Sequence, residues 1–143
     1  MDTRIPKHLQ EIIDDFESME GREKVETLVD YSERLSTLPV SMPQKHRDME
    51  LVEECMTPVF VKAQVENGGM HFFFDVPAES PTVRGLAAIL GEGLDGASPE
   101  EVLNVPNDFF LPMDLHRVLT MQRMTGFAAI LAHMKRLATE ALG

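Results

Sequence analysis

Cysteine is nearly absent from this chain. Its 143 residues hold one, Cys55, within the segment running from Leu51 to Val61. A single thiol excludes an internal disulfide, a cysteine-rich zinc site and a self-contained iron–sulfur cluster. Three roles survive: a buried inert thiol, a nucleophile, or a sulfur that carries a group. Basic residues are also scarce, 13 against 24 acidic ones, for a net charge of −11. That balance lacks the basic footprint of a nucleic-acid reader, and an anionic membrane surface would repel it. The charge reads first as solubility and second as docking to a basic face on a partner. No apolar run approaches the roughly 20 residues needed to span a bilayer. The segment Met1 to Lys7 has no apolar stretch of the kind a secretory signal needs. Together with the lone cysteine, these absences lead to the expectation of a reducing cytoplasm.

What is present suits one packed domain over residues 1–143, with 43% hydrophobic residues. Pro6 opens a helix on which Leu9, Ile12, Ile13 and Phe16 recur at helical spacing. Past the break at Gly21, a second helix is expected to turn Val25, Leu28, Val29 and Leu35 inward, with Pro39 and Pro43 ending it. A charged connection follows. Val59 to Val65 and Met70 to Val76 then read as a β-hairpin turning at Gly68-Gly69. A third strand is expected near Met49 to Glu53, because an isolated hairpin is marginal. Pro81 to Leu90 reads as a helix facing inward through Val83, Leu86, Ala87 and Leu90. Ser98-Pro99-Glu100-Glu101 is a capping-box start to a short helix. Asn107 to Leu115 reads as a rim segment with exposed aromatics. A long final helix should run from about Thr120 to Ala141, with an inward stripe of Met121, Met124, Phe127, Ala128, Leu131, Met134 and Ala138. The order of helices, small antiparallel sheet and helices is α+β. A monomer is expected, since no long apolar stripe is left unassigned to the core.

Several motifs tempt and fail. Gly91-Glu92-Gly93-Leu94-Asp95-Gly96 fits the dinucleotide glycine spacing, yet it follows a helix, and its two carboxylates would repel a pyrophosphate. Those glycines read instead as a helix end and a flexible connection. His46-Arg47-Asp48 copies a kinase triplet without any of the accompanying motifs. The five histidines form no metal-ligand pair at helical spacing, and no cofactor or metal is expected. The ten methionines read mainly as core filling, with Met113, Met121 and Met124 as candidates for adaptable contact with a partner.

Three motifs carry a resemblance. Val52-Glu53-Glu54-Cys55-Met56-Thr57-Pro58-Val59-Phe60 resembles the Gly-Cys-x-Ser-x-Val-Trp signature of SufE-like sulfur acceptor proteins. Val83-Arg84-Gly85-Leu86 resembles that family's Val, basic residue and Gly-Leu at a helix start. Leu119 to Phe127 resembles its Leu-Ser-x-x-Arg-x-x-Gly-Leu. The resemblance implies an α+β fold akin to the IscU scaffolds, with the cysteine on a loop at one end of the sheet. It further implies that Cys55 accepts sulfane sulfur from a pyridoxal-phosphate cysteine desulfurase of the SufS type, stimulates that enzyme, and passes the sulfur to an iron–sulfur scaffold complex. The family arginine falls on Arg123, which the resemblance implies lies near the thiol and steadies its thiolate or persulfide. Glu54 stands in place of the family glycine, Thr57 in place of serine and Phe60 in place of tryptophan, so a stiffer or differently shaped loop is expected.

The chemistry adds a constraint. Glu53 and Glu54 oppose ionisation of the neighbouring thiol if they point at it, and Arg123 favours ionisation. Cys55 is therefore expected to be a poor nucleophile at rest, activated on docking. The same residues admit two other readings. One is a binding module that regulates a desulfurase or scaffold without carrying sulfur. The other is a thiol hydrolase pairing Cys55 with a histidine, although no spacing selects which histidine. Arg84 and Gly85 read as packing residues.

Overall fold

A computed structural model describes residues 3–37 and 48–143. The elements run α1 (Lys7–Glu17), α2 (Gly21–Ser32), β1 (Glu50–Leu51), β2 (Phe60–Glu66), β3 (Gly69–Asp75), α3 (Pro81–Gly93), α4 (Pro99–Asn104) and α5 (Met121–Ala141). Two short 3-10 turns, Leu111–Met113 and Leu115–Arg117, connect the last two helices. The sheet is antiparallel in the order β1-β2-β3, which makes the architecture α+β as the element order requires.

The hairpin of β2 and β3 pairs Val61 with Phe74, Ala63 with Phe72 and Val65 with Met70, which sets these residues on one face. Val61, Met70, Phe72 and Phe74 are buried there, beneath α3 and α5. Its turn is Asn67-Gly68, both with positive φ, the combination that matches the twist of the flanking strands. The expected Gly68-Gly69 turn is thus displaced by one residue, and Gly69 opens β3. The outer edge of β3 is held at both ends. The Phe74 amide donates to the Ser36 carbonyl at 2.8 Å, and Met70 exchanges two hydrogen bonds with Gly96 and Ala97.

The helices fill one contiguous core. Leu9, Ile12, Ile13 and Phe16 of α1 are all buried, as their spacing predicts. The inner face of α2 differs from expectation. Lys24, Leu28 and Tyr31 turn inward, whereas Val25 and Val29 are 39% and 38% exposed. The buried Lys24 is satisfied because its Nζ donates to the Met113 carbonyl at 2.6 Å, so its alkyl stem can fill apolar space. Leu35 is buried beyond the end of the helix. Pro39, Pro43, His46 and Arg47 lie outside the described residues. α2 rests on α3 at Gly85, where an added Cβ would stand 2.2 Å from the Leu28 carbonyl oxygen.

α3 runs three residues further than expected. Gly91 and Gly93 are inside it and buried, with Phe74 and Leu9 pressed where side chains would stand. They are packing glycines rather than a helix end, and only Gly96, at φ +82°, serves as a turn. The capping box of α4 is present: the Glu101 amide donates to Ser98 Oγ at 3.1 Å, and the Ser98 amide to Glu101 Oε1 at 2.9 Å. Such a cap contributes about 1 kcal/mol.

Phe109 is buried rather than exposed at the rim. It meets Phe127 of α5 at 5.2 Å between ring centroids, and Phe110 meets the same ring at 5.8 Å. Such pairs contribute about 0.5–1.5 kcal/mol each beyond area burial, and they fix the part of α5 that faces the thiol. On α5, Met121 is 78% exposed instead of inward, while Gly126 and Ile130 join the buried stripe. Met113 and Met124 are buried in the core, so of the three methionines considered for partner contact only Met121 is available.

Candidate functional site

Cys55 sits on the loop between β1 and β2, at one end of the sheet. The Val52 amide donates to the Val59 carbonyl at 2.8 Å and closes the base of the loop. The Cys55 amide donates to the Val52 carbonyl at 3.3 Å and sets the local turn. Thr57 Oγ1 and Ser80 Oγ, 3.2 Å apart, join the far limb of the loop to the start of α3. The loop therefore has a fixed resting shape.

Within it the thiol is half-buried. Its Sγ lies 3.8 Å from the Gly126 carbonyl oxygen, a weak donor contact onto α5. A Cβ on Gly126 would come within 3.1 Å of the sulfur, so the missing side chain is the room in which the thiol rests. Beside it opens a cavity of about 350 Å³ whose lining includes Cys55, Met56, Leu86, Arg123, Phe127 and Ile130. Most of that wall is apolar, and Met56 at its mouth is 79% exposed.

Arg123 thus shares the cavity with Cys55, although the two lie far apart in sequence. α5 begins at Thr120, whose Oγ1 accepts the Arg123 amide at 3.2 Å. That cap fixes where the first turn points, and with it the arginine. Arg84, by contrast, turns away to donate to the Val76 carbonyl at 2.5 Å, in keeping with a packing role.

Burial pushes the Cys55 thiol up to about 11. The Glu54 carboxylate adds to the rise, and the Arg123 guanidinium opposes it. Water stabilises a thiolate that apolar walls cannot, so the resting sulfur is held protonated. Glu54 itself does not point at the sulfur. It reaches His133 of α5, with Oε1 2.9 Å from the imidazole Nε2, and that hydrogen bond holds its carboxyl below the usual range.

Sequence reasoning missed the role of His133. Its other ring nitrogen, Nδ1, contacts Glu50 of β1. The three residues come from β1, the thiol loop and α5, and no spacing in the chain links them. Elsewhere, His71 pairs with Asp95 and His116 with Asp114. Among the described residues, no group of three or more histidine, cysteine, aspartate or glutamate side chains is placed to hold a metal ion. No helix among them is long and apolar enough to cross a membrane.

The chain as a whole is similar to known proteins. The chain is 34% identical over 138 residues to an uncharacterised SufE-like protein of Mycobacterium tuberculosis, covering 96% of this chain and 95% of the relative. It is 29% identical over 106 residues to the cysteine desulfuration protein SufE of Plasmodium falciparum, covering 71% of this chain and 43% of that protein. A solution structure of a hypothetical protein from Thermus thermophilus shares the fold with a TM-score of 0.85 at 35% identity, covering 96% of this chain and 98% of that one. The family model SufE, described as an Fe-S metabolism associated domain, matches residues 10–138. The chain belongs to the SufE family.

Proposed function

We propose that this protein accepts sulfane sulfur on Cys55 from a pyridoxal-phosphate cysteine desulfurase, stimulates that enzyme by clearing its product, and hands the sulfur to an iron–sulfur scaffold complex. The observation that carries this reading is the place of the only thiol: on a loop, half-buried, beside an open cavity that also holds Arg123. A structural cysteine would need neither the cavity nor the cation. Membership in a family associated with Fe-S metabolism, and a relative named as a cysteine desulfuration protein, supply the class of donor.

The step is a thiol exchange. Cys55 loses its proton, and the thiolate attacks the terminal sulfur of a persulfide on the desulfurase cysteine. A new S–S bond forms at Cys55 as the donor's S–S bond breaks, and the donor cysteine leaves as a thiolate that takes up a proton. The sulfane sulfur moves without net oxidation or reduction.

With a pKa of about 11, only about one Cys55 in ten thousand is ionised at pH 7. The free protein is therefore a slow acceptor, and the partner must supply the activation. Docking that lifts the loop off α5 would remove the burial, which is the largest cause of the raised pKa. Arg123 then faces a sulfur anion in the cavity mouth and favours its charged form.

Intact mass spectrometry tests the reading. After incubation with a desulfurase and cysteine, the wild-type protein should gain the mass of one sulfur atom, and Cys55→Ser should gain none. Desulfurase stimulation that survives undiminished in Cys55→Ser would overturn the carrier role in favour of a regulatory binding module.

A further inference from the structure

We propose that His133 is a positioning residue for sulfur acceptance: clamped between Glu50 and Glu54, it holds the Cys55 loop against α5, and its loss of a proton releases the loop. This rests on the carrier reading above and adds a control on when the thiol becomes available.

The geometry of the ring carries the argument. Nδ1 is within hydrogen-bond distance of Glu50 Oε2, and Nε2 lies 2.9 Å from Glu54 Oε1. Ionised carboxylates only accept, so both ring nitrogens must donate, and only the imidazolium carries two N–H groups. A neutral imidazole keeps one donor and must give up one contact. The two ends differ in exposure. The Glu50 side chain is 14% exposed and anchored in β1, whereas that of Glu54 is 51% exposed on the loop. The Glu54 end is the one that water can replace. Glu54 is bonded directly to Cys55, so opening that end frees the backbone that holds the sulfur beneath α5.

The charged groups recorded around the ring are Glu50 from β1, Glu54 from the loop and Arg136 from α5. The Arg136 Nε stands 3.6 Å from Glu50 Oε1 and 3.8 Å from Glu140 Oε2. Burial alone would lower the pKa of His133, but the hydrogen bonds and charges of Glu50 and Glu54 outweigh it and raise the value above 6.5. The clamp is therefore complete below the ordinary imidazole range, and it is lost as pH rises through the raised value.

Alkylation of Cys55 by iodoacetamide in the isolated protein, followed from pH 6 to pH 9, tests the clamp without any partner. Thiolate fraction alone makes the rate rise tenfold per pH unit below the thiol pKa. The clamp adds a step of about two- to fivefold in the wild-type profile, the range of one part-exposed charged contact. His133→Gln should lack the step. It should react about two- to fivefold faster than wild type at pH 6 and match it at pH 9. Pure electrostatics gives the opposite sign, because removing the imidazolium leaves the Glu54 charge uncompensated beside the thiol. A His133→Gln rate at or below wild type at pH 6 would overturn the proposal. Glu54→Ala, a change at an exposed side chain, should also lose the step, and a profile that keeps it would overturn the proposal equally. No desulfurase is present, so either failure leaves sulfur acceptance standing. A normal step in a protein that gains no sulfur mass would sink acceptance and leave the clamp.

Discussion

Gly85 and Gly126 do opposite jobs by the same means. Each leaves out a side chain where two parts of the molecule meet. At Gly85 the space is filled by backbone: the Leu28 carbonyl of α2 lies against α3, 2.2 Å from where a Cβ would stand. Neither helix can move aside without dragging its neighbours. At Gly126 the space is filled by the end of one side chain, the Cys55 sulfur, on the loop that the proposal above has leaving α5. One omission locks two helices together. The other makes a berth that can be occupied or left.

Three experiments sharpen the contrast. The largest effect should come from Gly85→Ala. A methyl so close to a backbone oxygen forces the helices apart, with an overpacking cost of about 3 kcal/mol. The melting temperature, followed by circular dichroism, should fall by about 10 °C, and an unchanged value would break the comparison on its rigid side. Arg123→Gln comes next and acts on chemistry rather than folding. The guanidinium opposes the rise of the Cys55 pKa that burial and Glu54 cause, so at fixed pH alkylation of the thiol should slow about threefold while the melting temperature holds. Gly126→Ala should be mildest. The helix gains up to about 1 kcal/mol from alanine, which offsets the crowding of a sulfur that can move away. Stability should change little, and Cys55 should alkylate faster as it is pushed from its berth. A loss of stability as large as that of Gly85→Ala would show that the loop is as fixed as the core.

How much of this could be read in the chain depends on how locally each feature is determined. α1 declared itself through Leu9, Ile12, Ile13 and Phe16, and α4 through the Ser98–Glu101 capping box, because both signals lie within one or two turns. The motifs raised the expectation that Arg123 lies near Cys55, and the two do line one cavity, while their roles in sulfur acceptance stay a proposal. The face of α2 was not. Periodicity ranked Val25 and Val29 above Lys24, but a lysine whose amine reaches the Met113 carbonyl can be buried more fully than an unpartnered valine. Gly91 and Gly93 looked like a helix end because glycine is costly inside helices, and the reason to tolerate them, Phe74 and Leu9, lies on other elements. The His133 clamp was the least legible part. Its three members come from β1, a loop and a distant helix turn, and nothing local distinguishes them from solvated charge.

The edge of β3 has a consequence for how a partner can approach. The backbone near Ser36 and the Gly96-Ala97 pair take up hydrogen-bonding positions at the two ends of that strand. An incoming polypeptide would have to strip away these native partners before it could lengthen the sheet from that side, and the same obstacle stands against stacking of one copy on another through β3. Recognition by strand addition is thereby disfavoured on that flank.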